Sequence, residues 1–204
     1  MVTHRQHALR LAAIAALALA GLAVSSFSGQ AAGAYAQYAR AVLTHLPENA
    51  GARPDLEGYL DKVVSSYRQS NGRKGLIASN LMREAARAQA ADMMLDGRSG
   101  HRSRQGDSFV TRFSAFVDDA DLYRAKGENA ASNRVRGQAD LTKAKAIFGQ
   151  WLDSGGHRRN LMSRDYEYVS TGVIERGDEL WAVQIFWSKP VPPNSNPLII
   201  GIGQ

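Results

Sequence analysis

Two histidines and one glutamate stand out as side chains of this 204-residue chain that could act together in chemistry. His101 lies in GRSGHRS and His157 lies in DSGGHRRNLM, and each follows a glycine in polar surroundings. Glu128 lies between them in GENAA, where the small neighbours give no packing reason for an acid. Gly127 is expected to relax the φ restriction there, and Asn129 to bond its own backbone. Because sites are commonly built on loops held by a rigid scaffold, we expect the two histidines and the glutamate to converge from three separate irregular segments on one cleft.

Such a set supports more than one kind of chemistry. His101, His157 and Glu128 could together hold zinc or another divalent cation, with water completing the coordination shell. Glu128 could instead orient one histidine and fix its tautomer, so that the site would work by general base catalysis with Glu128 as a candidate catalytic residue. In a third interpretation, each residue makes only a local hydrogen bond. No local motif such as HExxH links the residues, so their spacing leaves these alternatives open.

The beginning of the chain has the layout of an export signal. Arg5 and Arg10 precede an apolar run over 11–24, and small residues follow with A-x-A patterns at 32–34 and 34–36. This order is typical of a secretory signal peptide, to which we assign residues 1–36. The apolar run is shorter than the ~20 residues of a membrane span, so an uncleaved anchor is the less favoured alternative. We therefore expect a secreted or periplasmic protein with no stable membrane span after cleavage.

Composition limits the chemistry further. The chain has no cysteine, which excludes disulfides, thiolate metal ligands and cysteine nucleophiles. The net charge of +6 would fall to +4 after loss of the two signal-peptide arginines. Basic residues are scattered and do not alternate with aromatic ones, so nothing indicates a nucleic-acid partner. A modest positive charge is compatible with anionic lipid or another anionic component of the cell envelope.

Hydrophobic periodicity predicts a mixed fold. Apolar residues recur at helical spacing over 55–69, 80–95 and 140–155, which predicts three helices, and shorter helices are expected over 38–46 and 109–116. Asn80 and Asp140 are the predicted N-caps of the second and third of these helices, and Gly97 is predicted to end the second. Two β-rich segments, 168–175 and 180–187, are joined by RGDE and indicate a hairpin. Because helices and strands do not alternate strictly, we predict an α+β domain with helices on both faces of a small antiparallel sheet.

The order of these segments resembles a known family. SGH, then GENAA, then WLDSGGHRRNLM, then a hairpin ending in WAVQIFW is similar to the CAP superfamily (cysteine-rich secretory, antigen 5 and pathogenesis-related 1 proteins), in particular its small cysteine-free bacterial branch. The resemblance covers residues 60–187 and implies an α-β-α sandwich. We therefore expect an N-terminal extension over 37–54, a CAP domain over 55–188 and a C-terminal tail over 189–204.

The resemblance also implies a central cleft with two histidines and two acids. His101 and His157 match the family histidines, and Glu128 matches the acid of the family's G-E-N motif. In some members the histidines hold a divalent metal, often zinc. The second family acid precedes an arginine, but here Thr111 stands before Arg112, so the second carboxylate is missing.

These observations leave three functions to weigh. The first is a secreted protein whose His/Glu cleft binds a divalent metal or small ligand; the resemblance implies lipid binding for some eukaryotic members only. The second is a metal-assisted hydrolase of the peptidase kind, which needs three protein ligands and a general base and is one group short here. The third is an envelope interaction protein with a vestigial cleft. Whether the protein is an enzyme stays open at this stage.

Overall fold

The structure is a computed structural model that describes residues 30–191. Most of the predicted signal peptide and of the predicted tail therefore lies outside the described residues. Within them, six α-helices and five strands follow in the order α1 (30–44), β1 (Ala50–Ala52), α2 (Pro54–Ser70), β2 (Ile77–Ala78), α3 (Arg83–Asp96), α4 (Phe109–Ser114), β3 (Lys126–Asn133), α5 (Leu141–Asp153), α6 (Gly155–Met162), β4 (Tyr168–Arg176) and β5 (Glu179–Trp187). No helix in the described region is long and apolar enough to cross a bilayer.

The sheet has the strand order β1-β4-β5-β3, and β2 pairs with β4 beside this path. All pairs are antiparallel except β2 with β4. The predicted hairpin is present between β4 and β5, and Gly177 at its turn has a φ of 59°, which favours glycine. Because β3 pairs only with β5, it forms an edge of the sheet in the described region, and this edge carries Glu128.

The side chains of alternate strand residues pack into two separate hydrophobic cores, as expected for a sheet covered on both faces. Residues of β5 that include Ala182 and Phe186 pack with α2, α5 and α6, whereas Trp181, Val183 and Ile185 pack with α3 and α4. The predicted α-β-α sandwich is therefore confirmed, and both faces of the sheet are buried.

The helix ends agree with the sequence at two points and differ at two. Asp140 caps α5 by accepting from Thr142 N at 2.8 Å, and Gly97 ends α3 with a φ of 68°. Asn80 does not cap α3, because this helix begins only at Arg83. The Oδ1 of Asn80 accepts a hydrogen bond from Arg83 Nε instead. The segment after 155, expected to be irregular, forms α6 because Ser154 caps a new helix there.

The first helix is part of the folded body. Tyr35 is 1% exposed and Ala39 is fully buried, and both pack against Ala88 of α3. The hydroxyl of Tyr38 donates to Asp92 Oδ1 at 2.6 Å. The expected boundary at residue 36 stays a prediction, but cleavage there would remove a buried aromatic side chain.

Candidate functional site

The imidazole of His101 is tied to Glu128. His101 Nδ1 lies 2.9 Å from Glu128 Oε1, and the histidine side chain is half-exposed while the glutamate side chain is 2% exposed. His101 lies in the loop after α3, as predicted. Glu128 differs from the expectation, because GENAA is not an irregular stretch but the buried middle of β3. A strand fixes the direction of the carboxylate more firmly than a loop would.

Arg112, which sequence reasoning passed over as a site residue, bonds the same carboxylate oxygen as His101. Its fully buried guanidinium donates from Nη2 to Glu128 Oε1 at 2.8 Å and to the His101 carbonyl at 3.2 Å. Thr111, which occupies the position of the missing family acid, bonds to Ser108 at the start of α4. The signal for Arg112 was its place directly after Thr111, where the resemblance expects an arginine.

The second histidine comes from the opposite helical layer. His157 lies on α6, and its ring centre is 6.0 Å from that of His101, with the rings inclined at 64°. Asn129, on the opposite face of β3 from Glu128, donates to the His157 carbonyl at 3.2 Å. The three residues therefore come together across an edge strand, one from a loop, one from a strand and one from a helix.

Asn160 ties α6 to this strand. Its Nδ2 donates to the Glu128 carbonyl at 3.1 Å and to Asn129 Oδ1 at 2.9 Å. Asn129 was expected to bond its own backbone, and this expectation was wrong, because its side chain bonds His157 and Asn160 of α6 instead. The spacing of His157 and Asn160 could have indicated that both lie on the same face of a helix, because Asn160 lies one helical turn after His157.

Gly127 is needed for close packing. The sequence suggested that glycine relaxes the φ restriction here, but Gly127 does not have a positive φ. A Cβ at this position would instead lie 2.3 Å from Tyr166 Oη and 3.1 Å from Asn160 Oδ1. The glycine before Glu128 therefore lets α6 and the segment after it approach the strand.

Comparison with known proteins places this arrangement in a family. The family model for CAP, the cysteine-rich secretory protein family, matches residues 62–186, more than half of the chain. The chain belongs to the CAP family. The matched residues lie within the expected domain 55–188, whose boundaries stay a prediction, and the packing of α1 extends the folded body further toward the N-terminus.

Individual CAP relatives are distant. An uncharacterized protein of Bacillus subtilis strain 168, YkwD, is 26% identical over 136 residues, which are 65% of this chain and 49% of that protein. The chain thus spans about half the length of this relative. A crystal structure of an extracellular protein containing an SCP domain, from Bacillus anthracis, superposes with a TM-score of 0.56 at 20% identity, covering 66% of this chain and 41% of the other. An outer surface protein of Borrelia burgdorferi gives a TM-score of 0.56 at 14% identity, covering 66% of this chain and 93% of the other. These likenesses support the fold.

The two histidines of this CAP domain have different electrostatic surroundings. The hydrogen bond to Glu128 raises the pKa of His101, although its partial burial and the charge of Arg112 oppose the shift. Partial burial lowers the pKa of His157, and the charge of His101 lowers it further. At neutral pH, the ring of His157 is therefore protonated in a smaller fraction of molecules than the ring of His101.

The bond to Glu128 also selects the form of the neutral His101 ring. A carboxylate accepts but does not donate, so Nδ1 carries the proton and Nε2 keeps its lone pair. A carboxylate that holds a histidine in this way is the usual partner of a metal-ligating imidazole. Among residues 30–191, no group of three or more His, Cys, Asp or Glu side chains is arranged to hold a metal ion. The ligands that this geometry offers to a metal ion are thus the two imidazoles of His101 and His157.

Proposed function

We propose that this CAP protein is an exported binding protein whose cleft between His101 and His157 takes a divalent cation of the zinc type. The observation that carries the proposal is the His101 Nδ1–Glu128 Oε1 hydrogen bond of 2.9 Å, which leaves the lone pair of His101 Nε2 for a metal ion beside His157. Export is supported by the sequence layout and by relatives described as extracellular or as an outer surface protein.

The ring separation is close to what a shared ion requires. Two imidazoles that bind one zinc through nitrogens at about 2.1 Å and near the tetrahedral angle have ring centres roughly 5 Å apart. The observed separation is 6.0 Å. The His101 side chain is half-exposed, and the proposal requires its ring to approach that of His157 on ion binding while it keeps the bond to Glu128.

In this proposal Glu128 orients His101 and is not itself a ligand. Its Oε1 already accepts from both His101 and Arg112, and the guanidinium balances its charge inside the protein. The metal ion would then have two protein ligands, with water or a ligand group such as a carboxylate or phosphate in the remaining positions. This arrangement suits reversible capture of a small anionic or lipid ligand of the envelope through the ion.

The same geometry supports the hydrolase alternative less well than the binding proposal. Zinc enzymes of the peptidase kind use three protein ligands and a separate general base. Here Glu128 supplies one carboxylate, which can act as the third ligand or as the general base but not as both. The alternative of a pure interaction protein predicts no ion in the cleft, so one titration separates it from the binding proposal.

The test is a zinc titration of the exported, tag-free protein by isothermal calorimetry. We expect one ion per chain with micromolar affinity and a loss of about tenfold or more in His101→Ala and in His157→Ala, since each removes one of two ligands. His45→Ala is the matched control, because the ring of His45 is exposed and bonds the Ala41 carbonyl at 2.8 Å. Equal affinity in all four proteins would contradict the proposal.

A second measurement addresses catalysis. The zinc-loaded protein is incubated with a peptide library, and cleavage is followed by mass spectrometry. The binding proposal predicts no cleavage above that of His157→Ala. Cleavage that Glu128→Gln abolishes while zinc affinity persists would favour the hydrolase instead.

A further inference from the structure

A basic cavity lies at the opposite end of α6 from His157. It has a volume of about 650 Å³ and is bounded by the end of α2, the segment 72–77 and the segment 164–167. Five basic residues line it, and only two acidic residues do: Arg68, Arg73, Lys74, Arg164 and Lys189, with Asp165 and Glu167. Its volume is in the range of small-molecule sites.

Arg68 is the most unusual of these residues, because its charge is buried without a carboxylate beside it. The residue is 1% exposed, and among residues 30–191 no acidic side chain pairs with it. Its Nε donates to the Lys74 carbonyl at 2.8 Å, and its Nη1 donates to the carbonyls of Leu161 and Ser163 at 2.7 and 2.8 Å. These bonds fix the guanidinium, and no hydrogen bond within the described residues uses Nη2.

The surrounding charges leave an excess of positive charge. Lys189 pairs with Glu167 at 3.0 Å, and Asp165 accepts from Ser163 at the end of α6. Arg73 donates to the Met162 carbonyl, and Lys74 and Arg164 extend into solvent without an acidic partner in the described region. Burial and the nearby charge of Arg73 lower the pKa of Arg68, so an anion in the cavity would relieve a repulsion that the fold contains.

We propose that this cavity binds the phosphate group of a small phosphate ester, with Arg68 as a fixed donor at its wall and Arg73, Lys74 and Arg164 around it. A guanidinium held in place offers phosphate two oriented donors at little entropic cost. The cavity exceeds the size of phosphate alone, and Tyr166 and the half-exposed Ile77 supply less polar wall for the organic part of the ester. A glycerol- or sugar-sized body fits this combination.

The alternative is a purely structural role, in which the hydrogen bonds of Arg68 only join α2 to the end of α6. That role accounts for Nε and Nη1, but it does not account for the gathering of four further cations around the same cavity. It also predicts no saturable response to a phosphate ester. The experiment therefore leaves Arg68 in place and changes the exposed cations.

The test follows backbone amide resonances of the full exported chain during addition of glycerol 3-phosphate, with glycerol plus sodium chloride at equal ionic strength as the blank. We expect saturable shifts in 73–77 and 164–167. The double variant Lys74→Gln with Arg164→Gln should bind about tenfold more weakly, since two charge-assisted contacts are removed. The control, Arg136→Gln with Lys145→Gln, makes the same charge change at exposed residues outside the cavity and should bind within about twofold of the wild type.

A vesicle arm distinguishes the source of the phosphate. If vesicles containing phosphatidylglycerol bind, phosphatidylcholine vesicles do not, and glycerol 3-phosphate displaces the protein, the ester is a lipid headgroup. If only glycerol 3-phosphate binds, the ligand is a soluble ester, and the proposal holds in either case. Shifts no larger than in the blank, or an equal loss of binding in the control variant, would overturn it. Vesicle binding that the soluble ester does not displace would do the same, since it would reflect net charge alone.

Discussion

His101 Nδ1 and Glu128 Oε1 lie 2.9 Å apart although 27 positions separate the residues in sequence. The contact joins a half-exposed ring on one helical layer to a buried carboxylate on the edge strand. Arg112 holds the same oxygen from within the protein. The electrostatics of the site and its response to pH depend on this contact, and so does the cation binding that we propose.

The two histidines should titrate on opposite sides of the ordinary histidine pKa. Glu128 raises the pKa of His101, and burial with the charge of His101 lowers that of His157. We expect Glu128→Gln to lower the pKa of His101, and His101→Ala to raise that of His157. A proton–carbon NMR titration of the ring resonances measures both. A pKa of His101 below that of His157 in the wild type would contradict the assignment.

The same shifts give opposite dependences of stability on pH. A histidine with a raised pKa stabilises the fold fully below its unfolded pKa of about 6.5 and loses that contribution as pH rises through its folded pKa. His157, with a lowered pKa, instead costs stability as pH falls below about 6.5. In His157→Ala, the free energy of unfolding should therefore fall less than in the wild type as pH drops below about 6.5, while its decline above that pH is kept. Urea unfolding across this range checks the sign, and an unchanged slope would contradict it.

Removal of the buried carboxylate should destabilise the protein strongly. Glu128→Ala leaves the fully buried guanidinium of Arg112 without its counter-ion, which typically costs about 3–5 kcal/mol. Glu84→Ala is the matched control, because its pair with Arg40 is exposed and should be worth less than about 1 kcal/mol. Denaturant unfolding of both variants measures the difference, and equal losses would show that the buried pair has no special role.

Gly172 should not tolerate a methyl group. A Cβ there would lie 2.2 Å from Arg87 N and 2.4 Å from Ala86 C, which are backbone atoms of α3 on the facing layer. Gly172→Ala must separate α3 from β4, so we expect a loss of roughly 3 kcal/mol or failure to fold. Gly149→Ala in α5, where the added methyl meets nothing within 4 Å, should be neutral or stabilise the helix. The melting temperatures of the two variants decide, and similar values would contradict the packing.

The mature N-terminus should not lie beyond Tyr35. Tyr35 and Ala39 are buried against α3, so cleavage after Ala36 would leave a hole where the aromatic ring packs. We expect mass spectrometry of the exported protein to place the first residue at Tyr35 or before it. Tyr35→Ala should cost about 3 kcal/mol in unfolding free energy. A first residue at Gln37 in a stable exported protein would contradict this expectation.

Most helices and strands of the layers could be predicted from the sequence, because amphipathic periodicity and capping residues are local features of the chain. Asp140 and Gly97 mark helix ends through contacts within a few residues, and both were predicted correctly. Asn80 was misread as a cap because an asparagine can equally bond a side chain one turn away, here Arg83. The strand character of GENAA was missed because glycine, asparagine and alanine are poor strand formers, and pairing with β5 overrides that preference.

Within the candidate site, the sequence and the family resemblance picked out His101, Glu128 and His157, which the structure brings together. The partners that hold them were harder to find. Arg112 and Asn160 act through contacts over 16 and 32 positions, which no local pattern reveals. The role of Gly127 was likewise misjudged, because a close approach by Tyr166 is a property of the packed fold and not of the chain segment.

The most direct test of the central claim is a long-range proton–nitrogen NMR spectrum of the histidine rings, recorded at neutral pH before and after addition of one equivalent of zinc. We expect neutral His101 to carry its proton on Nδ1 before addition, and zinc to shift Nε2 of His101 and one ring nitrogen of His157 while His45 stays unchanged. A His101 ring protonated on Nε2, or zinc that leaves both His101 and His157 unshifted, would contradict the account.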